Sequence, residues 1–308
     1  MDENAGRVRI DAPGKINLFL RIAGRRDDGY HELDSLMQSI GLSDRLEFTA
    51  APERARDELA CNHPQLAIDG SNLILRACAW VRARLSAAGA PPPPPLAIYL
   101  EKHIPIGAGL GGGSADAAAT LRALARHWKL DWPTAVWLEG ALALGSDVPF
   151  CHRGGQCRCR GRGELLENSN AARPPAVALL CPPQPAPTAA VYAAYARGLR
   201  ETASPAVDLT AEAFAALPWQ DWGRNWRNDL TAAACAVVPQ LTAVRNWFAR
   251  VRLKGGMSGS GTTFVAACAS LAEAAEVGAC FEREFPHGRS FAVEPVTAGA
   301  EATVATLA

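Results

Sequence analysis

The stretch of sequence that decides the fold is PIGAGLGGGSADAAA, residues 105–119. Five of the seven residues from 107 to 113 are glycines, and strong helix formers follow, with Leu121, Leu124 and Trp128 at helical spacing. This pattern predicts a bare loop that leads directly into an amphipathic helix. The amides of a first helical turn have no partner inside the helix, and the helix dipole places partial positive charge there. The stretch therefore favours a phosphate-binding loop.

Other interpretations of the glycine stretch carry less weight. A flexible hinge in front of an ordinary helix would not need glycines packed against so regular a helix start. The Gly-Lys-Ser/Thr ending of a P-loop is absent. Gly107, Gly109 and Gly112 match the spacing of a dinucleotide site, and Asp131 follows Gly112 by nineteen residues. The sequence around Asp131 is nevertheless a poor match to the strand that such a site requires.

A second glycine-rich stretch, GGMSGSGTT at residues 255–263, precedes an apolar run that predicts a strand at residues 264–266. It lies between a predicted helix and this strand, inside a folded region, which argues against a simple linker. The presence of two glycine-rich loops that could bind phosphate in one chain strengthens the interpretation of each, and both favour a phosphorylated ligand.

Composition and charge narrow the class of protein. The chain has 308 residues, 49% of them hydrophobic, which suffices for one large or two ordinary globular domains. Its 31 lysines and arginines balance 31 aspartates and glutamates, so no overall charge recruits nucleic acid or an anionic membrane. The acidic residues 1–4 and the lack of an eighteen-residue apolar run predict a cytoplasmic protein. The nine irregularly spaced cysteines predict reduced thiols.

Two polar side chains near the start of the chain are predicted to point in the same direction. Residues 8–10 alternate as a strand, residues 12–14 (Ala-Pro-Gly) predict a turn, and residues 15–22 predict a second strand. Lys15 and Asn17 share one face of the second strand because side chains alternate along it. A solvated edge of a sheet explains this pair equally well.

Two turns carry further candidate residues. Residues 24–29 predict a hairpin turn, after which Tyr30 and His31 place an aromatic ring and an imidazole side by side. A lone histidine is more often structural than catalytic. Residues 145–150 predict a break after a helix, and Asp147 within it is, on spacing alone, most simply a turn former that bonds its own backbone.

The remaining periodicity predicts the rest of the architecture. A helix capped by Asn72 runs to about residue 87, and a stiff run of five prolines at 91–95 leads into a strand at 96–100. Further helices are predicted at 134–144, at 188–199, after Asn228 or Asp229 and at 271–285. Further strands are predicted at 44–48, at 177–180 and near Phe291. Residues 170–175 predict a boundary between two lobes, and the chain ends in an alanine-rich tail without an evident role.

The segment CHRGGQCRC, residues 151–159, contains potential zinc ligands. No second cysteine pair at zinc-ribbon spacing accompanies it, so no metal site is predicted there. Arg158, Arg160 and Arg162 alternate along the same segment, which favours a solvated face of a strand.

Three motifs in a fixed order now point to one superfamily. They are PGKINL at residues 13–18, the glycine stretch with its helix start, and MSGSG at residues 257–261. Together they make the chain resemble the GHMP kinase superfamily. GYHEL at residues 29–33 and GSDVP at residues 145–149 extend the resemblance to its branch of cytidyl methylerythritol kinases.

The resemblance implies a two-lobed α+β fold with an active site in the cleft between the lobes. A ribosomal-S5-domain-2-like lobe is expected over residues 1–168, and a ferredoxin-like lobe over residues 169–308. It also implies an activity, in which ATP phosphorylates the 2-hydroxyl of 4-(cytidine 5′-diphospho)-2-C-methyl-D-erythritol, a step of isoprenoid precursor biosynthesis by the methylerythritol phosphate route.

Residue by residue, the resemblance implies that Asp147 is the catalytic base and Lys15 its partner. The acceptor would contact Asn17, Tyr30, His31, Thr188 and Tyr192. ATP would contact Asn72 and Lys102 beside the adenosine and, around the phosphates, Pro105, Ile106, Gly107, Ala108, Gly109, Leu110, Gly111, Gly112, Gly113 and Ser114.

Two departures from the family pattern qualify these expectations. Ala115 stands where relatives usually have a second serine, and residues 156–162 are unusually rich in cysteine and arginine. No carboxylate is evident as a magnesium ligand, so the expected cofactor is ATP with Mg²⁺ as its counter-ion, and no metal ligand is assigned to the protein. The expected partner is a small-molecule substrate, without nucleic acid or membrane, and the expected state is a monomer or weak homodimer.

Two alternatives remain within the superfamily. The first is a GHMP kinase of another specificity, such as one for homoserine or mevalonate. The second is a catalytically silent sensor that binds nucleotide without transferring phosphate. Loss of the lysine or the aspartate would be its sign, and both Lys15 and Asp147 are present.

Overall fold

The computed structural model describes residues 7–27, 29–199, 209–297 and 305–306. The first part of the chain forms, in order, β1 (Arg7–Arg25), β2 (His31–Ala50), β3 (Glu58–Cys61), α1 (Leu73–Ala87), β4 (Leu96–Glu101), α2 (Gly112–His127), α3 (Thr134–Leu144), α4 (Val148–Arg153), β5 (Gln156–Gly161) and β6 (Leu165–Asn168). The second part forms β7 (Ala176–Cys181), α5 (Thr188–Ala196), α6 (Ala211–Ala215), a 3₁₀ turn (Trp219–Asp221), α7 (Trp222–Asn225), α8 (Thr231–Val237), α9 (Leu241–Arg250), β8 (Gly255–Met257), β9 (Phe264–Cys268), α10 (Leu271–Glu284), β10 (Arg289–Val293) and β11 (Ala305–Thr306).

The first lobe is built on a sheet around the long antiparallel pair β1 and β2. The strand order is β11-β1-β2-β4-β3, and β5 pairs with both β2 and β6. Helix α2 packs on this sheet through Leu121, Leu124 and five of its alanines, which are buried in the core of the lobe, and Trp128 packs against them. The helical spacing predicted from these three residues is therefore confirmed.

The predicted turn at residues 12–14 is wrong. β1 runs without interruption from Arg7 to Arg25, and the register with β2 merely shifts between Pro13 and Lys15. Gly14 fits there because a Cβ at this position would lie 3.1 Å from the backbone oxygen of Leu110. The irregularity is a β-bulge that lets the glycine loop approach the strand, since the Lys15 amide donates to that same oxygen at 2.9 Å.

The second lobe is built on an antiparallel sheet with strand order β10-β7-β9-β8. The sequence predicted three of these strands and missed β8, whose Gly-Gly-Met was assigned to the loop. After β10 the chain returns to the first lobe: the Gly41 amide donates to the Glu294 oxygen, and β11 pairs with β1. The alanine-rich tail, predicted to have no evident role, thus contributes a strand to the first sheet.

Apolar side chains from both lobes form a shared core between the two sheets. Ile16, Leu18 and Phe19 of β1 lie in one buried cluster with residues of the second lobe, which include Val177, Leu179, Phe214, Trp222 and Val265. This shared core packs β1 of the first lobe against the second lobe.

Local signals predicted the starts of α1, α3, α5 and α10, whereas α4, α6 and α7 were not predicted. α1 is capped as predicted, because the Ile74 amide donates to Asn72 Oδ1 at 2.9 Å. α3 covers Thr134–Leu144 as predicted, but the expected break at residues 145–150 already contains the start of the short helix α4. The proline run is held as a spacer by Arg82, which donates to the backbone oxygens of Pro93 and Pro94.

Asn228 has a larger role than the helix cap predicted for it. Its Oδ1 does accept from the Leu230 amide at 3.0 Å, just before α8. Its side-chain amide also donates to the backbone oxygens of Met257 and Gly259, both at 2.8 Å, and the residue is buried. Asn228 therefore holds the second glycine-rich loop in place.

We expect Asn228→Asp to destabilise the protein by about 2–5 kcal/mol, since a carboxylate cannot donate to the two loop oxygens and would repel them in a buried site. Urea unfolding measures this loss. Asn246→Asp, an exposed change of the same chemistry on α9, is the matched control. Equal unfolding free energies for the two variants would contradict the role of Asn228.

Candidate active site

A cavity of about 880 Å³ lies between the two lobes. Its lining comes from β1, the segment after the β1–β2 turn, the glycine loop, the start of α5 and the second glycine-rich loop. It includes every site residue predicted from the sequence: Lys15, Asn17, Tyr30, His31, Asn72, Lys102, residues 105–114, Asp147, Thr188 and Tyr192. The structure thus brings all of them to one cavity, and their individual roles remain predictions.

The backbone of the glycine loop is shaped for an anionic ligand. Gly107, Gly109 and Gly111 have φ of 68°, 78° and 70°, a left-handed conformation that favours glycine. α2 begins directly afterwards, and its first intrahelical donor at this end is the Ala115 amide, which bonds the Gly111 oxygen at 2.9 Å. The preceding amides of residues 112–114 are therefore the donors that a helix start leaves for a ligand.

The two glycine-rich loops touch each other backbone to backbone. A Cβ on Gly109 would lie 2.6 Å from the Ser258 oxygen and 2.8 Å from the Gly261 oxygen. The loops are also hydrogen-bonded, because the Thr263 amide donates to the Ala108 oxygen at 3.1 Å. The two stretches singled out in the sequence are therefore one structure at the floor of the cavity, although 149 residues separate Gly109 from Ser258.

Lys15 and Asn17 do share a face, and that face is buried rather than solvated. Lys15 Nζ donates to Asn17 Oδ1 at 2.7 Å, and Asn17 Nδ2 donates to Ser35 Oγ at 2.8 Å. The ammonium also lies close to both glycine loops: a Cβ on Gly111 would lie 2.8 Å from Lys15 Cγ, and one on Gly259 would lie 3.1 Å from Lys15 Nζ. The interpretation as a solvated edge is wrong.

Asp147 completes this arrangement from the N-terminus of α4. Its Oδ2 lies 3.3 Å from Lys15 Nζ, and its side chain is 32% exposed while that of Lys15 is 5% exposed. Asp147 makes no side-chain capping bond to α4. The alternative that it serves only as a turn former therefore has no support, and the carboxylate is available to a ligand in the cavity.

Aromatic rings gather at another part of the cavity. His31 lies 5.3 Å from Tyr192 in a tilted arrangement, and Tyr195 meets the imidazole edge-on at 5.8 Å. Burial, reinforced by the Asp147 carboxylate, raises the pKa of the Tyr192 phenol above its ordinary value, so the ring stays neutral. Nearby, the hydroxyls of Thr188 and Ser260 are 2.9 Å apart and join α5 to the second glycine-rich loop.

The structure adds residues that the sequence interpretation missed. Ser260 and Asp116 line the cavity, and so does Arg162. The guanidinium carbon of Arg162 lies 4.6 Å above the centre of the Tyr30 ring. The prediction that the three alternating arginines form one solvated face is thus wrong for Arg162, and Arg158 is half-buried against Asp34 at 2.8 Å. Their partners are distant in sequence, so local alternation could not identify them.

Lys102 is tied to two buried carboxylates. Its ammonium lies 2.9 Å from Asp116 Oδ2 and also contacts Asp44 Oδ2. Asp44 in turn accepts from the amides of His103 and Ile104 at 2.6 and 2.8 Å, which fixes the chain that leads into the glycine loop. Burial raises the pKa of the Asp116 carboxyl to about 8, reinforced by the Asp44 charge and opposed by Lys102.

The carboxylates of Asp116 and Asp147 in the cavity each contact a lysine. No cluster of three or more His, Cys, Asp or Glu side chains suited to a metal ion occurs within the described residues. Asp116 is engaged by Lys102, and Asp147 by Lys15. The cysteines of residues 151–159 are free thiols, as are the other six.

Comparison with known proteins defines the class. The model of the GHMP kinases N terminal domain matches residues 72–155, and that of the GHMP kinases C terminal domain matches residues 211–287. Among solved structures, homoserine kinase from Cytophaga hutchinsonii has a TM-score of 0.68 at 16% identity over 97% of this chain and 98% of that one, and so shares the fold. The two-lobed α+β fold of a GHMP kinase is therefore confirmed.

Proteins with higher sequence identity to this chain identify its family within the GHMP kinases. The 4-diphosphocytidyl-2-C-methyl-D-erythritol kinase of Rhizobium etli is 36% identical over 95% of this chain and 96% of its own length, and that of Paramagnetospirillum magneticum is 38% identical over 88% and 93%. A crystal structure of 4-(cytidine 5′-diphospho)-2C-methyl-D-erythritol kinase has a TM-score of 0.74 at 33% identity, over 93% of this chain and 98% of that one. The chain belongs to the family of 4-diphosphocytidyl-2-C-methyl-D-erythritol kinases.

The raised pKa of Asp116 predicts a pH-dependent stability. The folded state holds a proton that the unfolded chain, with an ordinary pKa of 3.8, has released by neutral pH. The free energy of unfolding should therefore fall as pH rises from about 5 to about 8, by at most about 1.4 kcal/mol per pH unit, and then level off. Asp116→Asn resembles the protonated acid and should flatten this part of the profile.

Urea unfolding at a series of pH values measures both profiles. Asp131→Asn, an exposed change of the same type, should keep the slope of the unmodified protein. If the Asp116→Asn profile has that slope too, Asp116 is ionised in the folded state at neutral pH and this account of the cluster is wrong.

Proposed function

We propose that this chain transfers the γ-phosphoryl group of ATP to the 2-hydroxyl of 4-(cytidine 5′-diphospho)-2-C-methyl-D-erythritol. The observation that carries the proposal is the ion pair of Lys15 and Asp147, in a cavity that the glycine loop and the Tyr192 ring also line. Lys15 packs on Gly111 of that loop. The pair thus joins a phosphate-binding part of the cavity to an aromatic part that suits a nucleobase.

Each part of the site has a task in this reaction. The amides of residues 112–114 hold the ATP phosphates, and the tyrosines and His31 hold the cytosine. The acceptor oxygen attacks the γ-phosphorus, its proton passes to the Asp147 carboxylate, and the bond to the β-phosphate oxygen breaks to release ADP. Phosphoryl transfer requires positioning and charge neutralisation above all, which the Lys15 ammonium beside Asp147 provides.

The proposal keeps Mg²⁺ as the counter-ion of the nucleotide. Mg²⁺ in kinase sites commonly binds substrate phosphates and several waters, so no step is assigned to protein ligands of the ion. A cytoplasmic location, the absence of nucleic-acid partners and a monomeric or weakly dimeric state also belong to this proposal. Within the described ranges, every helix is too short or too polar to span a lipid bilayer.

A GHMP kinase for a small alcohol is the alternative. The likeness to homoserine kinase concerns the fold alone, and a small alcohol has no use for the His31–Tyr192 pair. ATP consumption measured with the cytidyl substrate, with homoserine and with mevalonate, each against a substrate-free control, separates these functions. Turnover with one of the small alcohols only would overturn the proposal.

Asp147→Asn tests the chemical role of the carboxylate. The amide is nearly isosteric and cannot accept the proton, so turnover should fall by about 10²–10⁴ while both ligands remain bound. Lys15→Ala should be similarly damaging. Turnover and thermal unfolding are measured on the same sample, with Asp131→Asn as control, and near-normal turnover of folded Asp147→Asn would remove this residue from the mechanism.

Tyr192→Ala tests the aromatic part of the cavity. Loss of a stacked ring costs about 1–3 kcal/mol in single-stranded nucleic-acid sites, so the Michaelis constant for the cytidyl substrate should rise about tenfold. The constant for ATP should hardly change, and Tyr192→Phe, which keeps the ring, should resemble the unmodified protein. A rise in the ATP constant instead would assign Tyr192 to the nucleotide.

A further inference from the structure

Two of the four lysines and arginines that line the cavity have no carboxylate partner among the described residues. Lys15 is engaged by Asp147, and Lys102 by two buried carboxylates. Arg25 and Arg162 also line the cavity, and in the part of the chain that the structure describes neither forms an ion pair. An unpaired cation in a cavity is free to bind an anionic group of a ligand.

Arg162 is the better placed of the two, because its backbone lies in a buried, hydrogen-bonded turn. It lies in the tight turn between β5 and β6, flanked by Gly161 and Gly163, which have φ of 71° and 117° and are buried. Its amide donates to Glu164 Oε2 at 2.5 Å. Arg25, by contrast, is an exposed residue at the end of β1. The turn thus places one arginine at the cavity.

The Tyr30 ring orients the Arg162 guanidinium. The guanidinium carbon lies 4.6 Å from the ring centre, within the range of a cation–π contact. Tyr30 is 50% exposed, and both residues also line a second, smaller cavity of about 610 Å³ beside the first. A guanidinium stacked on a ring keeps the N–H donors of its edge for hydrogen bonds, and that planar fork matches phosphate oxygens.

The acceptor of the proposed reaction carries such an anion. Its diphosphate lies between the cytidine and the sugar alcohol, whereas the amides of the glycine loop are needed for the phosphates of ATP. We propose that Arg162, oriented by Tyr30, binds the diphosphate of the acceptor and thereby selects nucleoside diphosphate derivatives over uncharged acceptors. This inference rests on the proposed function.

Paired ligands that differ only in the diphosphate test this assignment. Calorimetric titration with CDP and with cytidine is carried out on the unmodified protein, Arg162→Gln, Arg162→Lys and Arg160→Gln. Arg160 lies two residues earlier and is paired with Glu167 outside the cavity, so its change removes the same charge without touching the site. The Michaelis constants for ATP and for the cytidyl substrate are measured on the same four proteins.

We expect Arg162→Gln to bind CDP about ten- to a hundredfold more weakly, the usual effect of one charged hydrogen bond, and to bind cytidine as before. Arg162→Lys should recover part of the loss, and Arg160→Gln should behave as the unmodified protein. The Michaelis constant for the cytidyl substrate should rise and that for ATP should not.

Other outcomes would overturn the inference. An equal loss of CDP and cytidine binding would show that Arg162 only supports the Tyr30 ring, and unchanged binding of both would show that it contacts neither. A similar loss of CDP affinity in Arg160→Gln would show that the effect comes from the overall charge of the protein and not from a contact of Arg162. If the unmodified protein binds neither CDP nor cytidine, the proposed acceptor itself is wrong, and this result is separate from a failure of Arg162 alone.

Discussion

The buried ammonium of Lys15 is the constraint on which the rest of the site depends. A buried cation needs partners, and Lys15 finds them in Asn17 at 2.7 Å and Asp147 at 3.3 Å. Its stem and ammonium leave no room for side chains at Gly111 and Gly259. A substitution such as Gly111→Val would therefore displace Lys15 as well as obstruct a phosphate, and the two glycines belong to the chemistry of the lysine as much as to that of the nucleotide.

The buried Lys15 ammonium also explains why both lobes are needed to form the site. β1 carries Lys15 through the core shared by the two sheets, and the loop that Asn228 holds brings Gly259 against the ammonium from the second lobe. The close backbone approach of Gly109 to Ser258 locks the two loops together. A site formed in this way exists only when the lobes are packed, so the stability of the shared core and the geometry of the site are coupled.

Features that depend on neighbouring residues could be predicted from the sequence. The loop-to-helix junction follows from glycine density and helical spacing, the Asn72 cap from one residue, and the shared face of Lys15 and Asn17 from alternation. The sequence around Gly14 predicts a turn instead of the observed bulge, because the bulge is caused by the close approach of the Leu110 backbone, which is far along the chain. The partners of Lys102 escaped prediction for the same reason: 58 residues separate it from Asp44.

The two lysines of this cavity are each held by carboxylates, in a chain that has 31 residues of each sign. Lys102 lies close to the start of α2, where a Cβ on Gly112 would lie 3.0 Å from its ammonium, yet the side chains of Asp44 and Asp116 already hold this ammonium. In the proposed reaction, the amides of the glycine loop, which carry no net charge, are the donors that hold the phosphates of ATP. Neutral donors hold a phosphate without competing with the Lys15 ammonium for the Asp147 carboxylate, so binding of the nucleotide and orientation of the base can be satisfied at the same time.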